Sequence, residues 1–433
     1  MAAPVLLGGV LPDGEWMMKI ALLGLGLLSL VLSGCGGSDT SAFPSPFGTN
    51  NERGILLRIQ SGTDPAALAR EYGLTLEDGD PSGNLYRFRQ REDDKEDRNK
   101  LSERLRGDAR FTDAEPDDGV RCPEGGSVTG DPIHVPFDFV GTSDSRYTPL
   151  ASDFSSVAIN PTASQQLGLS ASRSIKRTTT VIVAVLDTGV QASHPTLSGH
   201  LVAGYNAITP SATPEEVADG VQNQVQGHGT MVSGVIAQLA PEAKILPVRV
   251  LNADGTGTVF NVVRGLRWAV SHGASVVNLS FGTPTASRTL QSAIQEARKA
   301  GVVIVASAGN AGKEQRDYPA GFSETISVAA VDSADTKASF SNYGSHITLS
   351  APGTSIRSTY LNNSFATWSG TSFAAPFVAG AAALIRAANP SLDSDKIGDA
   401  LRKSARSVDS LNPSYSGKLG KGVLNIPGAL AVK

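Results

Sequence analysis

Two regimes of hydrophobic and polar patterning divide this 433-residue chain. From residue 179 onward, short unbroken apolar runs (180–186, 244–251, 275–279, 302–307 and 325–331) are separated by stretches whose apolar residues recur at helical spacing (229–239, 259–272 and 287–299). A strand that is apolar on both faces must be covered on both. The alternation therefore predicts an α/β fold of three layers, a mostly parallel sheet between helices. Sheets of this kind hold their ligands beyond the carboxyl ends of the strands.

Upstream the pattern changes. Residues 54–60 and 85–90 read as strands, 65–72 and the charged stretch 91–106 as helices, and 109–120 as a further extended segment. This β-α-β-α-β series suits a small α+β domain of the split-βαβ, ferredoxin-like kind. Residues 121–160 are loop-like, with Gly, Pro, Ser and Asp throughout, and offer the exposed, unpaired backbone that proteolytic processing requires. Residues 36–51, rich in Gly, Ser, Pro and Thr, read as a flexible tether.

Before the tether, Met17-Met18-Lys19 leads into an apolar stretch, 20–32, that closes on Leu32-Ser33-Gly34-Cys35. A positive start, a short apolar core and small residues before the cut form a secretory signal, too short to favour a spanning helix. Asp13 and Glu15 precede the positive residue, which places the initiator at Met17 or Met18. Leu-Ser-Gly-Cys resembles the bacterial lipobox, which implies lipidation of Cys35 and attachment to a membrane. The alternative is an ordinary cleaved signal with an incidental cysteine.

Composition narrows the partners. The net charge is only -4, and no basic stripe with interleaved aromatics occurs, so nucleic acid is excluded as a partner. The two cysteines, Cys35 and Cys122, have neither CxxC spacing nor a histidine cluster beside them, which argues against a disulfide framework and a metal site alike. If Cys35 is lipidated, Cys122 is a free thiol in a segment lost on maturation.

Three motifs fall at strand ends or helix starts. In Val185-Leu186-Asp187-Thr188-Gly189, the turn after a buried strand can hold Asp187 ionised, ready to orient an imidazole. A strand-end Asp also caps turns, and the run by itself resembles an aspartic-protease loop, but no second such loop exists here. In Gly227-His228-Gly229-Thr230, flanking glycines leave room for substrate beside a ring able to accept a proton near neutral pH. In Ser369-Gly370-Thr371-Ser372-Phe373-Ala374-Ala375-Pro376, Ser372 opens an Ala-rich helix, where its hydroxyl is expected to be exposed and nearby N–H groups can stabilise an oxyanion. Pro376 is expected in the first helical turn.

Taken together, the order Asp, His, Ser and the motif around each resemble the subtilisin (subtilase) family over residues 179–433. The resemblance implies a subtilisin-like fold and a serine endopeptidase with Asp187, His228 and Ser372 as its triad, acting on polypeptides without a cofactor. It assigns oxyanion binding to Asn310, in Ala308-Gly309-Asn310. It assigns pairing with extended substrate to Ser280-Phe281-Gly282 and Ser307-Ala308-Gly309, and the floor of the first specificity pocket to Asp317. The small upstream domain then resembles an inhibitory propeptide, bound as an intramolecular partner. The expected organisation is a signal at 1–34, lipidated Cys35 with its tether to 52, a propeptide at 53–121, a maturation linker at 122–159 and a peptidase domain at 160–433.

Three departures from the family pattern stand out. Met231 replaces a common second His, and Phe373 replaces a common Met after the nucleophile. Ala240-Pro241 directly joins a helix to the next strand, where many subtilisins insert a calcium loop, so no calcium is expected there; other structural calcium sites leave no readable motif. The reading from another class is a catalytically silent lipoprotein that binds peptides. Retention of Asp187, His228, Ser372 and Asn310 argues against it. An esterase with the same triad lacks support too, since no Gly-x-Ser-x-Gly surrounds Ser372.

Overall fold

A computed structural model describes residues 53–124, 160–172 and 178–432. The expected signal, Cys35, the tether and most of the maturation linker lie outside the described residues.

Strands Gly54–Ile59, Leu74–Asp80, Leu85–Gln90 and Phe111–Pro116 form an antiparallel sheet in the order second, third, first, fourth. Helices Pro65–Tyr72 and Arg98–Arg106 complete a ferredoxin-like domain. Alternation along the first strand sorts its side chains between two cores. Ile55, Leu57 and Ile59 face this domain's own core with Leu68, Phe88 and Leu105, while Leu56 joins the core of the large domain. The strand Leu74–Asp80 was not expected from the pattern. It is an acidic edge strand whose register shifts between Leu76 and Asp78, so it carries little alternation. The second helix begins at Arg98 and not at 91, because Asp97 caps it by accepting from Asn99 N and Lys100 N and Asp94 ties the preceding turn to Glu96 N.

The large domain is built on seven parallel strands in the order Leu349–Pro352, Ile326–Val331, Val303–Ser307, Val276–Leu279, Ile182–Asp187, Lys244–Arg249, Tyr205–Asn206. Chain order reverses around Ile182–Asp187, whose neighbours are reached by connections on opposite sides. Asp187 therefore ends a strand at the topological switch point. Two helices, His228–Leu239 and Thr371–Ala388, are buried almost all round and start at that same end of the sheet. Thr371–Ala388 is long and apolar enough to cross a membrane by composition, yet 89% of it is buried as the core helix of this domain.

Pro376 lies in the second turn of Thr371–Ala388, not the first. Lacking an N–H, it leaves the carbonyl of Ser372 without its helical donor, and the Ser280 hydroxyl fills the vacancy at 2.9 Å.

The small domain docks through carboxylates onto two helix starts of the large one. Glu115 accepts from Ser287 Oγ and from the N–H groups of Arg288 and Thr289, at the head of helix Arg288–Lys299. Asp117 accepts from Phe260 N at 3.1 Å, at the head of Val259–Ser271, and pairs with Arg87 at 2.7 Å. Burial pushes the Asp117 carboxyl up to about 6, against the pull of Arg87.

Candidate active site

Asp187, His228 and Ser372 converge at the carboxyl end of the sheet, each fully buried. The His228 Nδ1–H donates to Asp187 Oδ1 at 2.7 Å, and Thr188 N donates to the same oxygen at 2.7 Å. Close approach of the helix start to the strand end makes this contact possible. A Cβ on Gly229 would stand 2.2 Å from the carbonyl oxygen of Gly189, so only glycine fits there. Burial opposes charge on the His228 ring, but the Asp187 carboxylate, aided by Cys122, outweighs it and holds the imidazole pKa well above its usual range.

Glu216 is a site residue that motif reading missed. It is half-buried, accepts from Thr188 Oγ1 at 3.0 Å, Gly227 N at 3.0 Å and Thr230 N at 3.2 Å, and so ties the Asp187 turn to the His228 turn. Burial raises its carboxyl pKa, opposed by the bond from Gly227 N and reinforced by nearby Asp187. Its only sequence signal was an acidic pair, Glu215-Glu216, in a long loop.

Asn310 follows strand Val303–Ser307 and faces two ways. Its Oδ1 accepts from Thr371 N at 2.9 Å and Thr371 Oγ1 at 2.8 Å, while its Nδ2 points into the site. That amide donates to Glu124 Oε1 at 3.0 Å. The other oxygen of Glu124 accepts from Ser372 Oγ at 2.8 Å and lies 3.3 Å from His228 Nε2. One carboxylate therefore engages the nucleophile candidate, the base candidate and the oxyanion donor candidate together. This is why the Ser372 hydroxyl, expected to be exposed, is covered.

Glu124 arrives on an extended segment that lies in the cleft. Strand Gly119–Arg121 pairs antiparallel with Thr256–Thr258, Arg121 exchanges both backbone bonds with Gly282 at 3.0 and 2.8 Å, and Cys122 N donates to Gly255 O at 2.8 Å. The segment is thus the middle strand of three, the arrangement by which clefts bind extended peptides. Of the residues expected to pair with substrate, Gly282 pairs with this segment. Ser307, Ala308 and Gly309 make no backbone bond to this segment among the described residues, and the second rail is 255–258 instead. Ser280 holds the Ser372 carbonyl, and the Phe281 side chain is core. Asn252-Ala253-Asp254-Gly255 resembles any Gly-containing turn, which hid the rail in the sequence.

Asp317 sits between the two segments that carry Gly282 and Gly309. Its Cβ is 3.2 Å from where a Cβ on Gly282 would stand, and its Oδ2 is 2.3 Å from the same point on Gly309. Gln315 Nε2 donates to Oδ1 at 2.7 Å and Asn342 Nδ2 to Oδ2 at 3.1 Å. Burial raises its pKa against those bonds and the field of Arg121.

Phe373 packs 5.4 Å from the His228 ring and 5.7 Å from Trp368, centroid to centroid, and is fully buried. A phenyl ring at this place has no sulfur to oxidise. Activity is expected to survive hydrogen peroxide that inactivates the Phe373→Met variant, as measured by residual peptide hydrolysis after timed exposure. Equal loss in both proteins would place the sensitive group elsewhere.

This site geometry on a parallel seven-stranded sheet defines the class of the protein, and comparison agrees: a model described as the subtilase family matches residues 178–422, and the chain belongs to that family. It is a hydrolase of the serine-endopeptidase type. Subtilisin BL of Lederbergia lenta is 40% identical over 246 residues, 55% of this chain and 87% of that protein. Thermitase of Thermoactinomyces vulgaris is 42% identical over 213 residues, 47% of this chain and 74% of its own. A solved protease structure from Pseudoalteromonas arctica superposes with a TM-score of 0.56 at 30% identity, covering 61% of this chain and 93% of the other. The chemistry of this family needs no cofactor.

Proposed function

We propose that the protein is an exported, lipid-anchored endopeptidase made as a self-processing precursor, with Asp187, His228 and Ser372 as its triad. The observation that carries this reading is the segment 119–124, held on two backbone rails with Glu124 across Ser372, His228 and Asn310. In the reaction, His228 Nε2 takes the Ser372 proton as Oγ attacks a peptide carbonyl, and Asp187 keeps the ring oriented and balances its charge. Asn310 Nδ2 and the Ser372 N–H bind the oxyanion, and water then hydrolyses the acyl-enzyme. Until processing, residues 53–124 act as the intramolecular inhibitor, since no substrate can enter an occupied cleft. Cleavage between 122 and 159 severs the peptidase from Cys35, so only the docking contacts of the small domain then hold it at the cell envelope.

Labelling with a fluorophosphonate probe tests the reading. Wild-type protein trimmed near residues 122–159 is expected to label and Ser372→Ala to remain full-length and unlabelled, read by gel and intact mass. A trimmed wild-type protein that fails to label would favour the peptide-binding lipoprotein.

Asp317, at the base of the gap between Gly282 and Gly309, would favour Arg or Lys before the scissile bond. Charge-assisted bonds of this kind are worth about 1.5–3 kcal/mol, so Asp317→Asn is expected to lower kcat/KM on Arg and Lys substrates by roughly 10- to 100-fold. Neutral substrates are expected to change little. Equal loss across a panel varied only at that position would assign Asp317 a structural role instead.

A further inference from the structure

The cleft of the precursor holds a second constellation that the peptidase chemistry does not use. Cys122 Sγ lies 3.6 Å from His228 Nδ1, Glu124 Oε2 lies 3.3 Å from His228 Nε2, and the three ligand-capable atoms of Cys122, Glu124 and His228 fall within 4.8 Å of one another. His228 Nδ1 is committed to Asp187. Nε2 is fully buried, makes no hydrogen bond and points at the Glu124 carboxylate. Cys122 is a free, buried thiol, and the Glu124 side chain is only 6% exposed.

We propose that Cys122, Glu124 and His228 form a binding site for a divalent zinc-like cation that latches the precursor. The ligand set, one thiolate, one imidazole and one carboxylate, is that of a borderline-soft tetrahedral ion with one open position. Ligand atoms around such an ion stand about 3.2–3.7 Å apart given bond lengths near 2.0–2.3 Å, so a cluster spread over as much as 4.8 Å needs to contract by up to about 1.6 Å. Asp187, bonded to Nδ1–H, supplies the outer carboxylate that fixes the ring for coordination through Nε2.

Metal binding replaces the Cys122 thiol proton, which is released to solvent. Two of the three ligands come from the segment held in the cleft and the third is the proposed catalytic base. The ion would therefore pin the inhibitory segment and occupy the base nitrogen together, and release of the segment would dismantle the site.

The test uses the full-length chain carrying Ser372→Ala, reduced with a phosphine and freed of metal, so it does not depend on proteolytic activity. Titration with Zn²⁺ is expected to bind one equivalent and to release protons in weakly buffered solution. Co²⁺ is expected to give a near-ultraviolet thiolate-to-metal band. Cys122→Ser should abolish that band, and Cys122→Ser and Glu124→Gln should each weaken Zn²⁺ binding by about tenfold or more. Absence of stoichiometric binding, or binding that neither substitution alters, overturns the site. With wild-type protein, Zn²⁺ should slow trimming and a chelator should restore it, an effect missing in Cys122→Ser; trimming at an unchanged rate while Zn²⁺ is bound overturns the latch.

Discussion

Ser372→Ala is expected to lower kcat on a peptide amide by about 10⁶-fold, the order known for nucleophile loss in a subtilisin, while KM changes by no more than a few-fold. In the proposed reaction, alanine removes the atom that attacks the carbonyl. The backbone rails at 255–258 and Gly282 stay intact, so extended substrate still binds. Because the proposed role of His228 is to move the Ser372 proton, His228→Ala is expected to cost nearly as much, and the double variant little more than either alone. Additive losses would mean that the two residues act in separate steps. The measurement is steady-state kinetics on material whose segment 53–124 has been removed by an added protease, since neither variant is expected to trim itself. Activity of Ser372→Ala within tenfold of wild type would sink the triad assignment.

Much of this site was legible because its parts obey strong local rules. Strands buried on both faces, such as Val303–Ser307, have to be apolar throughout, so their ends were readable to within a residue or two. Asp187, His228 and Ser372 sit at those ends inside unusual small-residue motifs. What escaped had no local signature. The rail at 255–258 is specified by a partner strand more than a hundred residues away, and its Gly and Thr are ordinary turn residues. Glu124 sits in a Pro- and Gly-rich stretch and acquires meaning only through Ser372 and Asn310. Pro376 was misplaced by one turn because the tertiary donor that satisfies the Ser372 carbonyl, Ser280 Oγ, lies on another strand's end.

Asn310→Ala is expected to reduce kcat by about 10²- to 10³-fold with KM little changed, the magnitude known for the oxyanion-hole Asn of a subtilisin. A donor that reaches the oxygen only as it becomes charged stabilises the transition state and not the bound substrate. In the full-length chain, Nδ2 donates to a carboxyl oxygen, Glu124 Oε1 at 3.0 Å, so the amide is aimed into the site where an oxyanion would form. The alanine variant carries a second defect, because Oδ1 also accepts from Thr371 N at 2.9 Å at the start of the helix bearing Ser372. Leaving that N–H without a partner costs about 1–3 kcal/mol and should lower Tm. Asn310→Asp separates the two effects. It keeps the acceptor toward Thr371 and removes the donor, so its Tm should lie nearer to wild type than that of Asn310→Ala while its kcat remains low. If instead Asn310→Asp retains most of the activity, or Asn310→Ala loses less than about tenfold in kcat, Asn310 serves to anchor the helix start and the oxyanion is bound by other groups.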